Sequence, residues 1–499
     1  MGIVQKDSLR TMLISYCGLS LGYVNKGLLF LLILSTEQIG VVNLIFSLAI
    51  LFAQFANMGM VYAVWKFFPF FKNKEKKHHG FLPFSLIIVF AGITIVTLFA
   101  LLFRGEIQSI YSEKSFLFVH YYIWLIPLGI AYVLYLVLDV YLRSLLKNIV
   151  SVFALEIVLR LALSCILFLL WFKWISFDDF VVLHSLIYFI PVGILLLYMY
   201  RIGELHLGFS NLNISTKFRS IIFNYSAFNY INTLGSVLVI SLDVIMVASY
   251  LGLQATGVYT TVVFLSSALQ VPYKAIVRIS SPLIAEHWKK REMEKMKELY
   301  TKVSSVALVI GLGSFLLIWV NIDFLFSFLK PEFKAGIWVF FFLMMGRLMD
   351  MYFGLNGAIF TTSKKYKYDL IFTLFLIGTV YALNLIFIPL YGISGAAIST
   401  SIALICYNFG RLIFIYKVYK IHPFTKGQFT IIALGLAVFL LGHLLQSFFQ
   451  DPWLQMIFIS SLVALSFFGP IYFFRMENEI VNYINEASKF LVKKVRKND

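Results

Sequence analysis

TMLISYCGLSLGYVNKGLLFLLIL, residues 11–34, is a twenty-four-residue run carrying one charge, Lys26. A helix needs about twenty mostly apolar residues to cross the bilayer hydrocarbon. This run is long enough, and it is too long for the apolar core of a signal peptide. No small-residue cleavage site follows it. It therefore reads as a retained first span. Lys26 lies about eight residues from the outer end, or roughly 12 Å at the helical rise. Its ammonium cannot easily reach headgroups from there. A charge at mid-bilayer costs roughly 2.5–3.5 kcal/mol, so Lys26 is expected to face a watery cavity or an acid on another helix. Asn25 beside it lies on a stripe with Ser15, Gly18 and Gly22 at helical spacing.

The rest of the chain repeats this pattern. Its 499 residues are 61% hydrophobic and 13% charged, with mean hydropathy +0.88. Soluble domains are nearer 45–50% apolar and about 25% charged, so lipid must solvate much of the surface. Further spans read at 39–63, 81–103, 116–137, 149–171, 180–200, 224–251, 257–283, 303–321, 336–360, 368–388, 393–416, 429–449 and 453–474. With the first they make fourteen. Strands of a membrane barrel would be about ten residues long and alternate in polarity, and these runs do neither. The expected fold class is all-α, a polytopic membrane protein.

The net charge of +17 would point to nucleic acid in a soluble chain. Here its distribution gives topology. With both termini in the cytoplasm, inside segments hold thirty Lys and Arg, the largest loop carrying Lys289, Lys290, Arg291, Lys295, Lys297 and Lys302. Outside loops hold five: Arg104, Lys114, Lys173, Lys330 and Lys334. Cytoplasmic loops collect basic residues. Dropping one span would invert every later loop, so the asymmetry also supports the count.

Two six-span halves resemble each other. STEQIGVVN at 35–43 matches LQATGVYTT at 253–261, and each is followed by an apolar run, a proline (Pro69, Pro282) and a Lys-rich inside loop. Six is even, so the halves share an orientation and are related by an axis along the membrane normal. The expected division is an N-lobe at 1–205, a C-lobe at 206–427 and two additional spans at 428–475. A basic cytoplasmic tail at 476–499 ends the chain. Its Ile480, Ile484, Ala487 and Leu491 share one helical face, which fits either the anionic inner surface or solvent.

Charged residues inside spans are the candidate site. The bases are Lys26, Arg160, Lys274, Arg278, Arg347 and Arg411; the acids are Glu156, Asp243 and Asp350, with Asp139 at a cytoplasmic edge. Glu156 and Arg160 are four apart and share a face, so they either neutralise each other or leave Arg160 for a substrate. Arg347 and Asp350, three apart, present the same choice. Arg411 lies near the cytoplasmic end and is expected to snorkel. Lys274 and Arg278 share a face, with no acid between them. Pro272 just before them breaks the helical hydrogen-bond ladder, and broken spans mark transporter sites. They hold an anion, pair with Asp243, or reach the inner surface. A polar stripe of Tyr225, Asn229, Asn232, Ser236 and Asp243 either lines water or glues helices together. Tyr132 and Tyr135 stand in a line with Asp139 and Arg143, as a wall for sugars or an interfacial belt. This interior leans cationic and suits an anionic cargo.

Cys17, Cys165 and Cys406 have no metal or disulfide spacing and read as small core residues. His78 and His79 read as solvated, and His184 is unassigned.

The segment NLIFIPLYGISGAAISTSIALICYNFGRLIFIYK (384–417) resembles the polysaccharide flippases of the multidrug/oligosaccharidyl-lipid/polysaccharide exporter superfamily. It has the pattern Asn, Pro-x-x-Gly, Gly-Ala-Ala and a small-residue helix. SLDVIMVASYLGLQATGVYTTVVFLSSALQVPYKAIVRISSPLIAEHW (241–288) and the 37–69 stretch with Gly40 and Met58, Gly59 and Met60 are similar to the same family. The resemblance covers nearly the whole chain in order. It implies two six-helix lobes in a V around a cavity and alternating access. It also implies coupling to a proton or sodium gradient, with no cofactor or metal. Its cargo would be undecaprenyl-diphosphate-linked repeat units of O-antigen, capsule or similar glycans, moved across the bacterial inner membrane. Implied partners are that lipid-linked oligosaccharide, membrane lipids and the polysaccharide polymerase and export machinery; nucleic acid is not among them. Three alternatives compete: a lipid II flippase, which shares the span count and a cationic cavity; a drug/cation antiporter, which would lean acidic; and a membrane glycosyltransferase or polymerase. An enzyme of that kind needs sizeable outside loops, and the first outside loop is only Ser35–Gln38, so no enzyme is expected.

Overall fold

The computed structural model describes residues 3–208, 216–446, 451–477 and 481. Among them there is no strand. Fourteen helices are long and apolar enough to cross a membrane: α1 (Arg10–Ile33), α2 (Thr36–Ala56), α3 (Lys77–Leu102), α4 (Phe116–Ser144), α5 (Ile149–Trp171), α6 (Phe177–Arg201), α7 (Thr233–Leu251), α8 (Leu253–Lys290), α9 (Met293–Trp319), α10 (Pro331–Tyr352), α11 (Tyr366–Tyr391), α12 (Ile393–Tyr419), α13 (Lys426–Gln446) and α14 (Pro452–Phe473). The expected class and count are what the structure has, and several ends move. The expected tail amphipathicity at 480–491 falls almost entirely outside the described residues.

Local chemistry sets the helix starts. Ser35 begins α2 with a capping box: its hydroxyl accepts from Gln38 N at 3.1 Å and the Gln38 side chain accepts from Ser35 N at 2.8 Å. Ser176 and Asp179 do the same for α6. Asp451 caps α14 through Trp453 and Leu454 N, with Pro452 in the first turn, where its missing N–H costs nothing.

Two of the expected spans contain breaks. The second, expected at 39–63, ends at Ala56. Met58 and Gly59 adopt left-handed backbone (φ 46° and 78°), and a separate twelve-residue helix, Met60–Phe71, follows. At about 18 Å it is too short to cross. It buries Met60, Ala63, Val64, Phe67, Phe68 and Phe71 on one face. The tenth, expected at 336–360, turns at Gly354 (φ 61°) before a short helix, Asn356–Thr362. Hydropathy does not see either break because the residues around them stay apolar.

Contacts divide the chain into two compact units, Met1–Thr261 and Val262–Asp499. The repeat places its boundary at 205/206 instead. The difference comes from α7, which packs on α2 and on Met60–Phe71, and from the first turns of α8. In the first unit α2 and α4 are the inner helices, closed on each other at Gly129, where a Cβ would meet the Phe52 ring at 2.5 Å. In the second unit α12 lies against α10 and α11.

Large apolar side chains stay outside: Leu102, Leu390, Leu436 and Leu465 are all exposed. Such a surface belongs in lipid. The three cysteines, expected as core residues, are free and exposed as well. A thiol is apolar enough to face lipid, which removes the need to bury it.

Candidate functional site

The site residues of the first unit gather around two matched irregularities. α1 is π-helical at Asn25–Leu29 and α5 at Ala154–Val158. Such bulges push a residue out of the regular ladder and are frequent at functional sites. Asn25, buried, bridges them: its amide donates to Arg160 O at 2.8 Å, and Ser164 donates to its Oδ1 at 2.7 Å. Arg160 pairs with Glu156 at 2.5 Å and donates to the Gly18 carbonyl. The glycine stripe has a steric cause. A Cβ at Gly18 would collide with Glu156, and one at Gly22 with the Arg160 guanidinium.

Lys26 stands apart from that pair. Its Nζ donates to Asn43 Oδ1 at 3.4 Å and lies 5.0 Å from the Phe46 ring centroid. Asn43 is itself fixed, donating to Ile39 O at 3.0 Å and Thr260 Oγ1 at 3.2 Å. Among the described residues no carboxylate forms an ion pair with Lys26. An amide oxygen and a ring face share a cation's charge weakly, leaving it available to an anion.

Asp243, on α7, is buried and accepts from the Tyr259 hydroxyl at 2.7 Å. The side chains of Asn229 and Asn232, like those of Tyr225 and Ser236, lie outside the described residues. Tyr135 is buried and donates to Ser151 O at 3.1 Å; Tyr132 is half-buried.

In the second unit, α8 is interrupted by a 3₁₀ turn at Ser267–Gln270 and restarts with Pro272 in its first turn, as the proline requires. Arg347 reaches the break, donating to Ser266 Oγ at 2.7 Å and Val263 O at 3.0 Å. Asp350 accepts from Gln270 Nε2 at 3.2 Å and Asn408 Nδ2 at 2.9 Å. Among the described residues it has no ion-pair partner. Both of its hydrogen-bond donors are neutral amides. Lys274 and Arg278 are both exposed on α8, and neither has a hydrogen bond or ion pair among the described residues. Lys274 feels the charges of Arg347 and Asp350.

Arg411 does not snorkel. It is buried, ion-paired with Asp369 and stacked 4.1 Å from the Tyr407 ring centroid. Asp369 lies in the first turn of α11, beside the Lys-rich stretch Lys364–Lys367, and is buried. His78 is likewise not solvated: it is buried, with Nε2 2.7 Å from Glu204 Oε2. The backbone at Lys77, His78 and His79 is left-handed (φ 49°, 51° and 51°), which turns the imidazole inward. His184 is buried, with its ring 5.8 Å from that of Tyr188. A cavity of about 210 Å³ in the second unit is lined by Leu308, Leu312, Phe341, Met345, Leu436 and Phe439, among others; it holds none of the charged candidates. No cluster of metal ligands occurs among the described residues.

No known family model matches the sequence, and no curated protein sequence matches it. Solved structures do. The lipid II flippase MurJ in an inward closed conformation aligns at TM-score 0.67 and 16% identity, covering 94% of this chain and 99% of that one. An inward-facing multidrug resistance MATE family transporter of the MOP superfamily aligns at 0.63 and 14%, covering 80% and 94%. A MOP superfamily transporter from Pyrococcus furiosus, described as having a binding pocket of reverse polarity, aligns at 0.58 and 15%, covering 84% and 96%. At these identities the likeness shows that the chain shares the fold of MOP superfamily transporters.

Proposed function

We propose that this chain is an alternating-access flippase. It moves undecaprenyl-diphosphate-linked oligosaccharide across the bacterial inner membrane, with both termini in the cytoplasm. One observation carries the proposal: Lys26, Lys274 and Arg278 lie in membrane-spanning helices and make no ion pair or hydrogen bond to a carboxylate among the described residues. Unpaired cations are expensive in a membrane, and a diphosphate would supply the missing charge. Arg160 and Arg411 are already neutralised by acids. The cargo reading also draws on the motif resemblance at 384–417 and 241–288. Coupling to a proton or sodium gradient belongs to the same proposal, and Asp350 is the carboxylate suited to it.

The test is flipping of lipid-linked oligosaccharide in vesicles holding the purified chain, with and without ionophores. Lys274→Glu with Arg278→Glu is expected to lower flipping by at least about tenfold, since charge-assisted contacts contribute roughly 1.5–3 kcal/mol each. Normal insertion with unchanged flipping would remove the site. A second reading, lipid II as cargo, is supported by the coverage of the MurJ structure. Rescue of cells depleted of their lipid II flippase would favour it over the glycan cargo.

A further inference from the structure

Three rings from three helices of the first unit meet beside Lys26: Phe46 of α2, Tyr132 of α4 and Tyr188 of α6. Their centroids lie 6.3 Å apart for Phe46 and Tyr132, 5.9 Å for Phe46 and Tyr188, and 6.5 Å for Tyr132 and Tyr188. The ring planes are inclined by 73°, 41° and 66°, so they form a corner rather than a stack. All three are half-buried, which leaves ring surface uncovered. His184, one turn before Tyr188 and buried, packs edge-on against that ring at 5.8 Å.

The two tyrosines differ from their neighbour in one respect. Tyr135 is sealed and spends its hydroxyl on Ser151 O. Among the described residues no hydrogen bond is made by the Tyr132 or Tyr188 hydroxyl. Tyrosine combines an apolar face with a polar tip. A corner of such rings fits a ligand that is apolar on one face and rich in hydroxyls at its edge. A pyranose is such a ligand, with its C–H face against the rings and its hydroxyls toward the phenols. The Lys26 ammonium stands 5.0 Å from the Phe46 centroid, at the edge of the same corner. A phosphate joined through its bridging oxygen to a sugar in the corner would lie within reach of that ammonium.

We propose that Phe46, Tyr132 and Tyr188 form a subsite for the first sugar of the cargo, the one joined directly to the diphosphate. The proposal rests on the reading of the cargo as a lipid-linked glycan. It gives the first unit two tasks: Lys26 takes the charge common to all such lipids, and the aromatic corner takes the sugar that distinguishes a loaded lipid from a bare one. Bare undecaprenyl diphosphate would then be bound more weakly than the glycosylated form, which favours outward movement of loaded carrier.

The test uses the full chain in nanodiscs, with bound lipid counted by native mass spectrometry. The probes are undecaprenyl diphosphate and undecaprenyl diphosphate bearing a single sugar. Wild type is expected to prefer the sugar-bearing lipid. Tyr132→Phe with Tyr188→Phe removes two hydroxyls and keeps the rings, so the preference should fall about tenfold, as expected for two neutral hydrogen bonds. Binding of the bare lipid should be unchanged. Lys26→Gln should weaken both lipids alike. Tyr135→Phe serves as control: it loses a structural bond and should leave the preference intact. An unaltered preference in Tyr132→Leu with Tyr188→Leu, still folded and binding bare lipid, overturns the subsite alone. Wild type that binds neither probe above an ordinary anionic phospholipid overturns the cargo reading and the subsite together.

Discussion

Two cations on spanning helices illustrate opposite fates of a charge in a membrane. Arg411 has its acid in place, with only one-tenth of its side chain exposed and less of Asp369. Removing one member of a buried pair strands the other and destabilises by about 3–5 kcal/mol. Asp369→Asn is therefore expected to lower the thermal midpoint of the purified chain markedly. Arg411→Gln combined with Asp369→Asn should recover part of the loss, because neither partner is then left charged. A thermal shift series on the three variants checks this. Lys26 has only an amide oxygen and a ring. Lys26→Gln should cost little stability and much transport, the reverse of the Asp369 result. Sequence spacing separated these cases only in part. It found Glu156 with Arg160, which share a helix, and missed Asp369 with Arg411, which do not.

At the scale of elements, the aligned Gly-Val pairs of the repeat have a physical reason. Gly40 and Gly257 are each the fifth residue of their helix, α2 and α8. A Cβ on Gly40 would collide with the Leu253 carbonyl, and one on Gly257 with the Thr36 carbonyl. The two helix starts thus rest on each other reciprocally, backbone to backbone. Nearby, Lys114 donates to Tyr250 O at 2.6 Å and Ser115 to Ala248 O at 2.7 Å. Gly40→Leu or Gly257→Leu should force these starts apart. A double electron resonance distance between labels at Ser35 and Gln254 is expected to lengthen in either variant. An unchanged distance would mean that the contact yields elsewhere. The paired π-bulges of α1 and α5 are a second device of this kind. No hydropathy pattern announces them, since they consist of one residue too many in an otherwise ordinary helix.

For the whole molecule, charge asymmetry and span count make one joint claim about sidedness. With the native cysteines replaced, Lys173→Cys should react with a membrane-impermeant maleimide added outside intact cells. Lys295→Cys should react only after the membrane is permeabilised. Reaction of both from outside would break the topology at an odd span. The exposed Leu, Phe and Trp side chains agree with a lipid-solvated surface, and they explain why burial is a poor guide to the site here. Apolar groups lose nothing by facing lipid, so polarity rather than exposure marks the interior.

The sequence by itself determined the class and the number of spans, because a bilayer demands some twenty apolar residues whatever the neighbours are. It also located the break at Pro272, because a missing N–H is a property of the residue. Tertiary structure decided which charges are free. Whether Arg411 snorkels, His78 is solvated or Tyr132 keeps a spare hydroxyl depends on helices remote in sequence. Electrostatic and hydrogen-bond satisfaction acts through space, and periodicity along one helix records only that helix's own face.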